Sequence, residues 1–327
     1  MTELRREPIT RMWVGIETDS PKGPSDYLPF KQDYRPHESG GPCPFCPGNE
    51  GMTPPETFSI GKEGGGWSVR VVPNKSPFFH VEGDFDRRPE GMYDLMEAIG
   101  AHEIVIEAQE HDRNLATLEA DQIGKGLLAY RERLRDLTRD RRFQQFLIIK
   151  NHPGVFNRHP HSHLMALPVV PKIIDEEISG TLDYFQRKER CIYCDMIREE
   201  LSLGKRVILE TGHFLVFSPF ASRYPFETWI IPKIHSSDFH SIEPELIGDL
   251  SRAIQSLFGR FHRLFSDPSY GLTFHTSPVQ ARHRPEYHWH IETRLRIGLR
   301  EGFEWGTGFF VNPTPPEDAA AYLRESE

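Results

Sequence analysis

The chain of 327 residues has only four cysteines, no block of Lys or Arg and no long apolar run. Each scarcity excludes something. Four cysteines are too few to staple a chain of this length as a disulfide framework, and no secretory signal accompanies them. No apolar stretch approaches the ~20 residues that a membrane span needs. The N-terminal MTELRREPITRMW lacks the apolar core of a signal peptide, so a cytoplasmic protein without a membrane partner is expected. The net charge is −9, and without a basic cluster no nucleic-acid partner is expected. A few local donors still suffice to hold a phosphorylated small molecule.

What is present is enough for real cores: 37% hydrophobic and 11% aromatic residues, over a length that suits two domains. The cysteines form two C-x-x-C pairs, Cys43/Cys46 in CPFC and Cys191/Cys194 in CIYC. In a cytosolic protein such pairs read as metal or redox sites. Neither shows a clear strand-to-helix setting, which argues against a thioredoxin-type motif. The two pairs also prompt a search for a repeat. HEIVIEAQEHDRNLATLEADQIGKGL from His102 and FETWIIPKIHSSDFHSIEPELIGDL from Phe226 superpose with His111 on His235 and Ile123-Gly124 on Ile247-Gly248. Each copy reads as a strand, a histidine, a turn and an amphipathic helix, about Ala120–Leu137 and Pro244–Phe265. A second β-type run follows, FQQFLIIK or YGLTFHT, and then a His-rich segment, HPHSHLMAL or HWHIETRL. The expected fold class is therefore α+β, two units from an internal duplication, each an antiparallel sheet with a long helix, divided at 1–180 and 181–327. The first ~40 residues, rich in Pro and charge, read as an arm. The tail NPTPPEDAAAYLRE reads as a turn leading into a short helix.

His159, His161 and His163 alternate with Pro160 and Ser162. In a strand, the period of two puts all three imidazoles on one face. A neutral imidazole is a good nucleophile toward phosphorus, provided an acceptor such as a strand carbonyl holds its other N–H. The centre of the triplet is the best-oriented position.

H-x-H-x-H followed by apolar residues is the histidine-triad motif. The wider pattern resembles the galactose-1-phosphate uridylyltransferase family and its related nucleotide-sugar phosphorylases, which carry two histidine-triad domains. The resemblance rests on RREPITRMWV, CPFCPGNE, TPPE, VRVVPNKSPFF, HEIVIEAQEHDRNL, RHPHSHLMALP, CIYC, FSPFASRYPFETWIIPKIH, YHWHIE and GFEWGTGFFVNPTPPE, in that order. It implies that His161 is the covalent nucleophile, with His163 as a second catalytic residue. The nucleoside monophosphate would come from a nucleotide sugar of the UDP-glucose type and pass to a hexose 1-phosphate. An ADP-sugar or dinucleotide phosphorylase or hydrolase is the alternative, and a non-catalytic nucleotide-binding module the reading of another class. The family's zinc site matches Cys43, Cys46, His111 and His159, a closed tetrahedral set with a structural role. The repeat predicts a second zinc set, Cys191, Cys194, His235 and His288, although some relatives hold a different metal at positions matching His275, His288 and His290. Asn74 falls at the family position near the nucleoside, and Ser162 joins the substrate-binding set. Gly306, Thr307 and Gly308 resemble the loop that meets the sugar phosphate or phosphate, where backbone N–H groups can approach oxygens. The family also implies a homodimer.

Three departures stand against the pattern. The third triplet position is usually Gln in the transferases and is His163 here. An imidazole can pass a proton, which leaves transfer, phosphorolysis and hydrolysis open. The Arg pair that often follows the W-V strand is replaced by ETDSPKGPSDY, with Lys22 as its one cation. The Gly/Ser run before the triplet is replaced by NHPGVFNR, where His152 or Arg158 could substitute.

Overall fold

The structure is a computed structural model that describes residues 2–30, 41–154, 158–279, 284–298 and 302–327. Within them the strands are β1 (Thr2–Arg6), β2 (Trp13–Glu17), β3 (Phe58–Gly61), β4 (Trp67–Pro73), β5 (Arg88–Glu90), β6 (Tyr93–Leu95), β7 (Ala101–Ile106), β8 (Gln145–His152), β9 (His161–Leu167), β10 (Val207–Glu210), β11 (Phe214–Phe217), β12 (Thr228–Pro232), β13 (Tyr270–His275), β14 (His290–Leu295) and β15 (Phe310–Asn312). The helices are α1 (Pro24–Tyr27), α2 (Ala120–Leu137), α3 (Lys172–Lys188), α4 (Ile192–Leu203), α5 (Pro244–Phe265), α6 (Gly302–Thr307) and α7 (Pro316–Glu325). The architecture is α+β. Among the described residues no helix is long and apolar enough to cross a membrane.

Ten strands form one antiparallel sheet in the order β10-β11-β12-β14-β13-β8-β9-β7-β4-β3. Read inward from either edge the order is the same: three strands in chain order, then the last strand of the half, then the one before it. The halves meet where β8 pairs with β13, from Tyr270 opposite His152 to Phe274 opposite Ile148. The sequence suggests two separate units, whereas the sheet runs unbroken between them. Residues 180 and 181 lie inside α3.

Strand alternation sorts the sheet's residues onto two faces. One face carries Val71, Val105, Ile148, Leu164, Phe274 and Ile291, which share a core with Leu127 and Leu134 of α2 and Leu250, Leu257 and Phe261 of α5. Both long helices therefore cover the same face, with their apolar stripes turned to it. The other face carries His102, His161, His163, His275 and His290. Over the second half it is roofed by α3 and α4, through Glu177 on His275 and Tyr193 beside His290.

The N-terminal arm is tied down. β1 pairs antiparallel with β2, and β15 pairs parallel with β2, so both ends of the chain share a small sheet. The segment after β1 lies so close to α3 that a Cβ on Gly180 would come 2.0 Å from the Ile9 carbonyl oxygen. CIYC opens α4, with Cys191 as its N-cap, so this pair does sit at a helix start. The glycines of GFEWGTG fold mostly into α6 rather than an open loop.

Candidate active site

β9 begins at His161, so the alternation expected for three histidines covers only His161 and His163. His159 lies just before the strand and turns to the first cysteine pair. Its Nδ1 is 3.9 Å from Cys43 Sγ and 3.6 Å from Cys46 Sγ, and His111 Nδ1 is 3.4 Å from Cys46 Sγ. A tetrahedral zinc with Zn–S of about 2.3 Å and Zn–N of about 2.0–2.1 Å spaces sulfur and nitrogen ligands about 3.6 Å apart. The cluster has that size. The outer nitrogen of His159 also has its partner: Nε2–H donates to the Ala108 carbonyl at 2.8 Å, which turns Nδ1 inward. Burial, then the neighbouring Cys43, push the Cys46 thiol up to about 11. Two thiolates here need a cation to ionise them.

His161 follows two residues later and inherits this anchoring. Its Nδ1–H donates to the His159 carbonyl at 2.7 Å, which assigns the proton to Nδ1 and leaves the lone pair on Nε2. Phe45, from between the two cysteines, meets the ring at 5.3 Å between centroids. Burial lowers the pKa of the imidazole to about 4, so it is neutral and nucleophilic at pH 7.

Behind the strand, on the helix-covered face, lies a buried polar group that sequence reasoning missed. Lys150 of β8 pairs with Glu107 and also donates to the His161 carbonyl at 3.3 Å. Glu107 accepts from the hydroxyls of Tyr130 and Ser162 as well. Burial alone would raise the Glu107 carboxyl, but Lys150, Ser162 and Tyr130 outweigh it and hold it below its usual range. The available signal was a charge inside an otherwise apolar run, in EIVIEA and in FLIIK. The Ser162 hydroxyl belongs to this brace. Because the strand alternates, it faces away from His161 and His163.

In front, His163 Nδ1 lies 3.0 Å from His102 Nε2. Asn74 reaches the same His102 ring, with its Nδ2 3.3 Å from Nδ1 and 3.1 Å from Nε2. Asn74, His102, His163 and His161 thus run along one face. His102 was another miss, marked only by an imidazole in the buried strand AHEIVI.

The second half repeats the metal geometry. Cys194 Sγ lies 3.5 Å from His235 Nδ1 and 3.6 Å from His288 Nδ1, with Cys191 completing the set. Beside it, Glu177, His275, His290 and Glu292 bring four ligand atoms within 4.8 Å of one another. This group already balances its charge. Glu292 accepts from Arg223 at 2.5 Å, and Glu177 accepts from Tyr287 and His275, both at 2.8 Å. Burial opposes a proton on His275, but Glu177 and Glu292 outweigh it and push it up to about 9.

Gly306, Thr307 and Gly308 are exposed, at the end of α6. The Thr307 hydroxyl donates to the Phe303 carbonyl at 2.7 Å, and Gly308 has φ +68°, a helix-ending conformation that favours glycine. Phe303 and Glu304, earlier in the same helix, line a cavity of ≈ 690 Å³ with Lys22, Arg223, Arg294 and Arg296 among others, and none of Gly306, Thr307, Gly308 or the triplet residues lines it. Within this chain Gly306, Thr307 and Gly308 are not brought to His161. His152 pairs with Asp267 at 3.2 Å, and Arg158 is exposed. Val155, Phe156 and Asn157 of the shortened run lie outside the described residues.

Known proteins resemble this chain in sequence and fold. A family model described as galactose-1-phosphate uridyl transferase, C-terminal domain, matches residues 177–298. ADP-glucose phosphorylase of Arabidopsis thaliana is 33% identical over 330 residues, covering 99% of this chain and 92% of the relative. Galactose-1-phosphate uridylyltransferase of Thermotoga maritima is 27% identical over 339 residues, covering 100% and 99%. A crystal structure of the Arabidopsis thaliana ADP-glucose phosphorylase with bound ADP-glucose superposes with a TM-score of 0.82 at 32% identity, covering 99% of each chain. A uridylyltransferase structure superposes with a TM-score of 0.78 at 27% identity, covering 100% of this chain and 98% of the other.

Proposed function

Because this chain belongs to the galactose-1-phosphate uridylyltransferase family, we propose that it moves a nucleoside monophosphate from a nucleotide sugar through a covalent adduct on His161. The observation that carries this is the buried imidazole of His161, with Nδ1–H tied to a carbonyl and the Nε2 lone pair left for attack. Nε2 attacks the α-phosphorus, the bond to the bridging oxygen breaks, and sugar 1-phosphate leaves. An acceptor oxygen then attacks the same phosphorus, the P–N bond breaks, and His161 is regenerated.

ADP-glucose is the favoured donor and phosphate the favoured acceptor, giving ADP and glucose 1-phosphate. The greater identity to the ADP-glucose phosphorylase than to the Thermotoga maritima uridylyltransferase supports that order. The second reading, UDP-glucose as donor and hexose 1-phosphate as acceptor, is supported by the family model over residues 177–298. Zinc in both Cys/His clusters would fix geometry. In the first it would hold His159, whose carbonyl orients His161. The division of the chain near residue 180 into two units is part of the same proposal, supported by the strand order that repeats from each edge.

The test is labelling with ADP-glucose and UDP-glucose carrying a labelled α-phosphorus, followed by peptide mapping. Label on His161 from ADP-glucose, released as ADP by phosphate, is expected. Label from UDP-glucose alone would select the second reading. Label from neither, or on another residue, would remove the covalent mechanism.

A further inference from the structure

The third triplet position raises a question that the adduct on His161 does not answer. An imidazole there can act as a hydrogen-bond donor or as a proton shuttle, and the two lead to different products. The hydrogen bonds around His102 decide between them.

The chain of assignments starts at a backbone amide, which can only donate. The Phe78 N–H points at His102 Nδ1, at 3.3 Å. That nitrogen must therefore carry a lone pair, and the proton of a neutral His102 sits on Nε2. The Ser76 N–H donates to Asn74 Oδ1 at 3.0 Å, which turns the amide nitrogen toward the His102 ring, 3.3 Å from Nδ1 and 3.1 Å from Nε2. With the Phe78 N–H aimed at it, Nδ1 has no acceptor for a second proton. Burial acts in the same direction, lowering His102 to about 4.

His102 Nε2–H then donates to His163 Nδ1 across 3.0 Å. His163 accepts there, so its own proton lies on Nε2. His161 and His163 occupy alternate positions of β9, on one face, with ring centroids 5.5 Å apart. They carry opposite tautomers. His161 offers a lone pair to phosphorus, and His163 offers an N–H. The chain behind His163 ends at the Phe78 amide, which neither supplies nor takes a proton, so no shuttle runs through it.

We propose that His102 is a positioning residue that locks His163 as the Nε2–H tautomer, so that the third triplet position works as a neutral hydrogen-bond donor, as an amide would. The inference rests on the His161 adduct proposed above and adds an acceptor class. Water attacking the adduct must lose a proton to a base, and His163 held as the Nε2–H tautomer offers no lone pair toward it among the described residues. An anionic phosphate or phosphate ester attacks without one. The site therefore favours phosphate-class acceptors over water.

Two measurements test this on the full-length protein. Nitrogen NMR of labelled histidine side chains reads the tautomers without substrate. His163 protonated on Nε2 and His102 protonated on Nε2 are expected, and a proton on His163 Nδ1 would overturn the proposal. The second measurement loads the protein with α-phosphorus-labelled ADP-glucose or UDP-glucose, chases with inorganic phosphate, and separates nucleoside diphosphate from monophosphate. His102→Phe keeps the ring but loses the donor, and should raise the monophosphate share about tenfold or more, a fraction of the roughly 10²–10⁴-fold that a positioned acid–base group contributes. His102→Gln, which restores an N–H toward His163, should bring the partition back. His163→Gln, whatever its rate, should keep the diphosphate as main product. An unchanged partition in a folded His102→Phe protein would overturn the proposal. Absence of any label on the unmodified protein would instead overturn the His161 adduct, and the NMR result would still decide the tautomer.

Discussion

His161 and His290 occupy matching places in the two halves of the sheet, yet their side-chain surroundings differ. Each follows a Cys-cluster histidine by two residues, and each directs Nδ1–H to that histidine's carbonyl, at 2.7 Å for His161 and 3.2 Å for His290. The surroundings then diverge. Around His161 the charges lie behind the strand, in Lys150 and Glu107, and His163, Met165 and Ile149 on the front face are half-buried. Around His290 the back is apolar and the front is filled. Trp229 stacks on it at 4.6 Å, His275 at 4.9 Å, and Tyr193 lies 5.0 Å away. His290 is wholly buried, and its Nε2 has no hydrogen-bond partner. The triplet ends in His163 in one half and Glu292 in the other. A shared backbone plan thus places two imidazoles alike, and the side chains around each decide whether its lone pair can be reached.

Breaking the two halves in parallel should separate these roles. The largest effect is expected at the two imidazoles themselves. His161→Ala should abolish adduct formation, a loss of several orders of magnitude. His290→Ala should leave the label on His161 in the protein that folds, with the cost appearing in thermal stability because a buried ring is truncated. The cysteine clusters come next. Cys43→Ser should lower both zinc content and labelling, because His159 orients His161. Cys191→Ser should lower zinc content and stability with labelling largely kept in the folded fraction. Elemental analysis beside the labelling assay checks both, and about equal loss of labelling in the two variants would erase the proposed asymmetry.

Much of this comparison was legible in the sequence. The two C-x-x-C pairs, the matching histidines and the two long helices recur in order, and Ala120–Leu137 and Pro244–Phe265 form as the amphipathic patterns predict. Period and spacing report local structure, and these features are local. The single sheet was not legible, because β8 pairing with β13 joins residues more than a hundred positions apart and leaves no periodic trace. His102 on His163 and Lys150 on Glu107, though nearer in sequence, leave no periodic trace either, and each residue is unremarkable until the strands align. The direction of the Ser162 hydroxyl was legible, because alternation alone places it behind its sequence neighbours.

The charge behind the first strand gives a smaller but measurable contrast. Lys150→Met should leave Glu107 buried without its cation and destabilise the protein by about 3–5 kcal/mol, the usual cost of removing one partner of a buried pair. The matching position in β13 is the apolar Phe274. Adding Glu107→Gln to Lys150→Met should recover part of the loss, since the unpaired charge is then gone. Urea unfolding of the single and double variants reads this directly. A double variant no more stable than Lys150→Met would show that the brace acts through packing rather than charge.

The smallest effect is a pH dependence on the first half's front face. Burial holds His102 at about 4, below the ~6.5 of an exposed histidine. A depressed base binds its proton in the unfolded chain before the folded one. The unfolded state therefore gains protons first as pH falls, and stability drops between about 6.5 and 4 by linkage. Above that window the penalty is absent, because both states are neutral at this site. His102→Phe should flatten this part of the stability curve, measured by urea unfolding at pH 7 and pH 5. Adduct formation on His161 should hold its rate as pH falls through 6.5, since that imidazole too is neutral down to about 4. A rate that falls with a midpoint near 6.5 would mean that the nucleophile titrates like an exposed imidazole, and the contrast between an open and a sealed histidine would lose its electrostatic basis.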